Sequence, residues 1–287
     1  MKQPRIALSE DRAQIAGAQS VTRALNLLPL VGRDPVHGIG LGEIVEETGL
    51  SRPTARRLLL SLMHSGMVEQ DPVTRSYLLG EETYVLGTLA AQRFGLLDVA
   101  HDAVARLAAE TGDTAFLSVR RDAFALCVHK EEGSFPIRVQ ALQVGYRHPL
   151  GVGAGSMSIL AALEDDEVEE ILDQNATLLR EEYPRATLPE LRAAIEETRA
   201  RGWALNPGMV LLNSWAIGRA LKLPDGRIAG ALSVAAIDSR MTPDRQDCIA
   251  ARLIEATTRV EARLARLYAR QQPRAAAPAA PTVRQNV

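Results

Sequence analysis

Between residues 20 and 30, Val21, Ala24, Leu25, Leu28 and Leu30 fall at three- and four-residue intervals, the period of a helix with one buried stripe. Ser20 stands where its hydroxyl can cap the first turn. After a glycine-containing connection over residues 36–40, the same period returns in LGEIVEET, residues 41–48, and stops at Gly49, a residue tolerant of positive φ at a helix end. A second helix is predicted from Ser51, which can accept a free N–H of the first turn, with Pro53 where a missing N–H costs nothing. Ile44, Leu50, Leu58 and Leu62 are spaced to converge on one small core. Past Gly66 the period falls to two. Residues 67–70 and 76–79 flank Asp71-Pro72-Val73-Thr74-Arg75 and read as a short hairpin. The order is therefore helix, tight turn, helix and β wing, an arrangement that presents one short helix to the DNA major groove.

Residues 81–94 are again helical in pattern, with Tyr84, Val85, Leu86, Leu89 and Ala90 apolar, and read as a linker helix. Residues 97–111 form another amphipathic helix, stopped by Gly112. From Thr114 the pattern turns to strands. Segments 114–119 and 123–129 flank Arg121-Asp122, and 137–142 is a third strand. A glycine-rich loop, 151–156, opens a helix over 157–163. Helices follow over 165–174 and 187–201, the latter with a Thr187/Glu190 capping box and Gly202 at its end. Strands are predicted at 203–205, 215–223 and 227–237, the last two joined by Pro224-Asp225-Gly226. Thr242 caps a closing helix from Pro243 to about residue 271. The fold class is α+β. A flexible arm (1–18) precedes a winged helix-turn-helix domain (19–80) and a linker helix (81–96). A second domain (97–271) then forms an antiparallel sheet flanked by helices, and a disordered Ala/Pro-rich tail (272–287) follows.

Composition narrows the function. Of 287 residues, 46% are hydrophobic and 24% charged, as in a globular chain of two domains. The net charge of −2 excludes a general polyanion binder, so any nucleic-acid contact must come from a local patch. No apolar run approaches the roughly 18 residues that span a bilayer, and the N-terminus carries no apolar signal segment, so a cytoplasmic location and no membrane partner are expected. Cys127 and Cys248 are too few for a disulfide framework.

The local patch is present. On the second helix of the pair, the face opposite the core carries Arg52, Thr54, Ala55, Arg56 and Arg57, preceded by Ser51. Arg52 and Arg56 are one turn apart and share a face, fit for phosphates or for a forked bond to guanine. Short Thr54 and Ala55 let the helix approach base edges, and Arg75 near the wing tip can reach backbone or minor groove. With Glu69 and Asp71 set against the four arginines, this region carries a net excess of two positive charges.

Enzyme chemistry has little support. There is no GxSxG, P-loop, HExxH or dinucleotide fingerprint, and no cofactor is expected. Cys127 and His129 alternate on one strand and so are expected on one face, where zinc would need a further ligand such as His148 or His101. No second close ligand pair exists, and a buried thiol beside an ordinary imidazole is the expected state, with no metal. Nothing identifies an orienting group for a catalytic Cys–His pair.

The segments SVTRALNLL, LGEIVEETGLSRPTARRLLLSLMHSGMVEQD, SYLLG, HPLGVGAGSMSILAAL, RGWALN and DGRIAGALSVAA, in that order and spacing, resemble an IclR-type transcriptional regulator over nearly the whole chain. The resemblance implies a winged helix-turn-helix, a linker helix and a GAF-like effector domain. It also implies homodimers, often paired into homotetramers, on double-stranded operator DNA, with a small organic effector, commonly a carboxylate or an aromatic compound. By position it places Ala154, Gly155, Asn206, Ala216, Ser233 and Ala235 at the effector pocket. Two positions that can be polar in the family are alanine here, an acidic one is the amide Asn206, and Arg219 stands where a small residue is usual, so a glyoxylate-like ligand is not expected. Read physically, N–H groups of a loop with Gly151, Gly153 and Gly155 before a helix form an anion site, or the glycines only permit a tight turn. Arg219 within a strand needs a partner, either a structural carboxylate or a ligand's. Ser233 donates to a ligand or to backbone. The expected function is effector-controlled DNA binding; a small-molecule sensor or an enzyme without sequence-specific DNA binding is the alternative.

Overall fold

The N-terminal apolar stripe folds as helix α1 (Gln19–Val31), but it begins one residue before Ser20, with Ala18 as a cap that has no side-chain hydrogen bond. Its buried line is Leu27, Leu30 and Val31, at i, i+3 and i+4, whereas Val21 and Leu25 are exposed. The computed structural model describes residues 18–137 and 142–271; the expected tail and, apart from Ala18, the expected arm lie outside the described residues.

Helix α2 (Leu41–Thr48) ends at Gly49 in the left-handed region, φ 66°, and α3 (Arg52–His64) is capped by Ser51, whose Oγ accepts the Thr54 N–H. The wing is an antiparallel pair, β1 (Val68–Gln70) and β2 (Tyr77–Leu79), with Val68 opposite Leu79. Inside this bundle lie Leu27, Ile44, Ala55, Leu59, Leu62 and Val68. Leu50 and Leu58, expected in the core, are only partly buried, because the true α3 stripe is Ala55, Leu59 and Leu62. A linker helix, α4 (Glu81–Phe94), leaves the wing through Gly80, whose N–H donates to Met67 O at 2.9 Å; the Glu82 N–H donates to Gly66 O at 3.2 Å.

After α5 (Leu96–Thr111), the second domain is a six-stranded antiparallel sheet: β3 (Thr114–Arg121), β4 (Phe124–Glu131), β5 (Arg147–Pro149), β6 (Ala204–Pro207), β7 (Ser214–Lys222) and β8 (Ile228–Ile237). The spatial order is β5-β4-β3-β8-β7-β6. One face is covered by α5 and α9 (Pro243–Gln271), whose Val104, Leu107, Leu253 and Val260 meet Leu117, Ile217, Leu232 and Val234. The other face is covered by α6 (Ala154–Ala161), α7 (Asp165–Glu182) and α8 (Leu188–Arg201). The predicted strand at 137–142 falls largely on residues 138–141, outside the described residues; Ile137 and Leu142 are irregular, and β5 supplies the edge. Helix α6 starts three residues earlier than its pattern implied. Helix α7 runs on to Glu182 because Val168, Ile171, Leu172, Asn175 and Leu179 keep one buried stripe. The Thr187/Glu190 box and left-handed Gly202 bound α8 as expected.

The β3–β4 register slips between Leu117 and Ser118: Leu117 lies opposite His129 and Ser118 opposite Cys127, so Val128 is the extra residue of a bulge. Cys127 packs with Phe116 and Ala235 on one face, while His129 shares the other face with Leu117 and stacks on His101 of α5, ring centroids 4.7 Å apart. The expectation that Cys127 and His129 share a face is thereby overturned. Period-two alternation fails at a bulge.

Asp113, its side chain 2% exposed, ties the start of β3 to the turn before α9: Arg240 Nε donates to Oδ1 at 2.9 Å and Arg245 Nη2 to Oδ2 at 2.6 Å. Asp113→Ala leaves two guanidinium groups without their carboxylate. It should lower unfolding free energy by about 3 kcal/mol, read as an earlier urea midpoint at unchanged m-value.

Candidate functional site

The first candidate surface is the cleft between α3 and the wing. Its walls include Arg52, Arg56, Arg57 and Leu60 of α3, Gly40 to Gly42 at the start of α2, and Gln70, Thr74 and Arg75 of the wing. No carboxylate is among these lining residues. The four arginines are exposed, and their side chains have no hydrogen bond or ion pair among the described residues. The wing turn is held by Asp71, whose carboxylate accepts the N–H groups of Val73 and Thr74 at 2.8 and 2.6 Å. Those backbone bonds hold its pKa below the usual carboxylate value. Arg75 follows in the left-handed region, φ 63°, which places it at the tip. Ser51 and Thr54 sit at the N-terminus of α3 with hydroxyls 2.8 Å apart.

Ala55 does not belong to this face. It is 0% exposed and packs with Ile44 and Leu59 inside the bundle, so it cannot meet a base edge. Counting Thr54 and Ala55 as one outward pair ignored the 100° turn between neighbouring helical residues.

The second candidate is a cavity between the sheet and α6, open to solvent, with about 550 Å³ of empty space including its mouth. Gly153, Ala154, Gly155, Asn206, Ala216, Ser233 and Ala235 all line it. Gly153 precedes α6 at φ 87°, so the first N–H groups of that helix, which have no intrahelical partner, lie at the cavity wall. Gly218 makes this approach possible: a Cβ there would stand 2.5 Å from the Ala154 backbone. Asn206 is buried, and its Oδ1 accepts the Met209 N–H at 2.8 Å. The hydroxyls of Ser118, Ser214 and Ser233 reach the wall from residues 4%, 8% and 5% exposed and make no side-chain hydrogen bond among the described residues. The remaining lining is mostly apolar, including Phe116, Leu142, Val152 and Val210, with His148 and Ser156 as its further polar side chains, and no Asp, Glu, Lys or Arg is among the lining residues.

Arg219 is absent from this lining. Strand alternation puts it with Ile217 and Leu221 on the opposite face, across from Leu232, and its Nη1 donates to Thr257 Oγ1 of α9. Neither a carboxylate nor a ligand is its partner. Trp203 and Trp215 pack against the α5/α9 core. Sequence reasoning did not find Phe116, Ser118, His148 or Ser214. Ser214 was accessible by stepping two residues back from Ala216; Phe116 and Ser118 required the β3–β8 register, which sets them opposite Ser233 and Ala231. Burial pushes the Cys127 thiol up to about 12, so it is a poor nucleophile.

Comparison with known proteins follows the same division. The model described as "Bacterial transcriptional regulator IclR C-terminal" matches residues 88–262, and the "IclR helix-turn-helix domain" matches residues 20–72. The glycerol operon regulatory protein of Streptomyces griseus is 33% identical over 79% of this chain and 87% of its own length. The transcriptional repressor IclR of Escherichia coli K12 is 24% identical over 90% and 93%. A solved IclR-type regulator from Silicibacter sp. TM1040 superposes with a TM-score of 0.71 at 27% identity, covering 86% of this chain and 96% of that one. A regulator from Alicyclobacillus acidocaldarius shares the fold, with a TM-score of 0.73 at 24% identity over 87% and 99%.

The contact at Gly218 is open to test. Gly218→Ala should push α6 away from β7 and cost about 1–3 kcal/mol of stability, seen as a lower thermal midpoint. A variant as stable as the parent would show that the α6 loop yields freely.

Proposed function

The chain belongs to the IclR family of DNA-binding transcriptional regulators, and we propose that its α3–wing cleft reads operator DNA under the control of a small organic ligand in the sheet–α6 cavity. Four unpaired arginines around an acid-free cleft carry the first half of this reading. Arg52 and Arg56 face base edges in the major groove, while Arg57 and Arg75 bind phosphates, aided by the Ser51 and Thr54 hydroxyls at the N-terminus of α3.

For the cavity, a compact, mostly apolar ligand with one carboxylate fits best. Its apolar body meets Phe116, Val152 and Val210; its oxygens take hydrogen bonds from the Ser233 hydroxyl, the Asn206 amide and the α6 N–H groups. Neutral donors in a dry wall recognise an anion without the desolvation cost of a second buried charge. Ligand binding shifts the balance between DNA-competent and incompetent arrangements through α4, which joins wing to α5. Tyr84, Leu86 and Leu89 of α4 are exposed; a second copy covers them in a homodimer, which can pair into a homotetramer. Such a protein works in the cytoplasm beside DNA, and among the described residues no helix is long and apolar enough to cross a membrane.

Fluorescence anisotropy on the promoter fragment beside the protein's own gene, against a scrambled duplex at physiological salt, tests the first half. Selective binding is expected. Arg56→Ala should cost about 1–3 kcal/mol and flatten the preference between probes. Arg75→Ala should weaken both probes alike and lower the salt slope by about one. Unchanged affinity and preference in Arg56→Ala would refute the assigned face. In a screen of organic acids on the same assay, an effector should lose its action by about tenfold or more in Ser233→Ala, one hydrogen bond to a charged group, and in Ala216→Leu, which fills the cavity. DNA affinity without effector should stay as in the parent.

A further inference from the structure

Outside the cavity, on the α5 side of the sheet, three ligating side chains converge that neither the DNA face nor the cavity uses. His101 of α5, His129 and Glu131 of β4 each offer one nitrogen or oxygen, and these atoms all lie within 4.8 Å of one another. The bulge at Val128 is responsible. It turns His129 and Glu131 to the side of Leu117 and Ala115, facing α5, instead of the cavity side.

We propose that His101, His129 and Glu131 bind a divalent first-row transition ion, zinc being the probe of choice. Two imidazoles and one carboxylate are a donor set suited to such ions, with further positions left for water. His129 Nε2 lies 3.1 Å from Glu131 Oε1 and yet is buried without a hydrogen-bond partner, the two groups being out of line. Ligands bonded at about 2.0–2.2 Å to one ion stand roughly 3.0–3.4 Å apart, so this pair already has the spacing of neighbouring ligands. An ion between them takes a lone pair from each, which the misaligned contact leaves unused. Glu131 has no lysine or arginine partner among the described residues. The neighbouring Lys130 points the other way, to Glu132 and Gln143.

The third ligand is the movable one. The side chain of His101 is 54% exposed, and its ring lies stacked on His129 at an interplanar angle of 30°. A rotamer change at an exposed side chain brings its nitrogen into the ion's shell at small cost. The bound ion would then clamp α5, the helix that directly follows the linker, to β4. Cys127 takes no part: the bulge sends it to the opposite face, beside Phe116 and Ala235.

The test uses the full-length, untagged chain stripped with chelator and titrated with zinc chloride by calorimetry, alongside thermal melts. One ion per chain and a raised melting temperature are expected. His101→Ala, His129→Ala and Glu131→Ala should each weaken binding by about 100-fold or more, beyond the loss typical of outer-shell changes. Cys127→Ser should bind as the parent does, and cobalt should give a spectrum with no thiolate band. Because His101 is exposed, His101→Ala should melt like the parent without metal, which separates lost ligation from lost folding. Absence of stoichiometric binding would overturn the proposal. So would parental affinity in His101→Ala, or binding abolished by Cys127→Ser.

Discussion

The larger domain depends on one contrast, the difference in side-chain size between the two faces of its central strands. Toward α5 and α9, strands β7 and β8 present Ile217, Leu221, Leu232 and Val234, which are buried in the layer between sheet and helices. Toward α6 the same strands present Ala216, Gly218, Ala231, Ser233 and Ala235. A sheet and a helix pack at a spacing set by their bulkiest contacts. Small residues on one face therefore let the N-terminus of α6 touch Gly218 and leave an open volume beside it. The cavity is the complement of a well-packed layer on the reverse side, and the hydrophobic burial there supports a wall that itself contributes little.

The two halves of the chain use charge in opposite ways. In the second domain, ion pairs offset charge: Asp113 is held by two arginines, and Arg199 reaches Asp165 together with the carbonyls of Ala161 and Leu163. On the α3–wing cleft, four arginines stand without counter-charges. A chain with a net charge of −2 that leaves these four unpaired concentrates positive potential on this one cleft. The Gly80 and Glu82 N–H groups, donating to the carbonyls of Met67 and Gly66, fasten the start of α4 to that same unit.

The bulge at Val128 distributes chemistry between the faces. Without it, Cys127 and His129 would share the cavity face; with it, the thiol stays in an apolar wall and the imidazole joins a cluster with His101 and Glu131. One extra residue thus keeps His129 off the cavity face and gathers it with His101 and Glu131 under α5.

Local chemistry was enough for much of this protein. The left-handed stop at Gly49, the Ser51 cap and the Thr187/Glu190 box are interactions within a few residues, and the sequence alone determined where α2 ends and where α3 and α8 begin. Hydrophobic period located the wing and α4, the family resemblance placed six of the residues now lining the cavity, Ala154, Gly155, Asn206, Ala216, Ser233 and Ala235, and the glycine-rich loop pointed to Gly153. What it could not determine was orientation around an axis. Ala55 turned inward because the α3 stripe is set by what α1 and α2 press against it. Arg219 turned toward Thr257 because strand alternation is counted from Ile217, whose burial is decided by α9. Ser118 and Phe116 joined the cavity, and His129 left it, through the pairing of β3 with β8 and β4. Caps and turns are short-range and readable from their own residues; facing and register are set by contacts between segments far apart in the chain, and only the packed structure decides them.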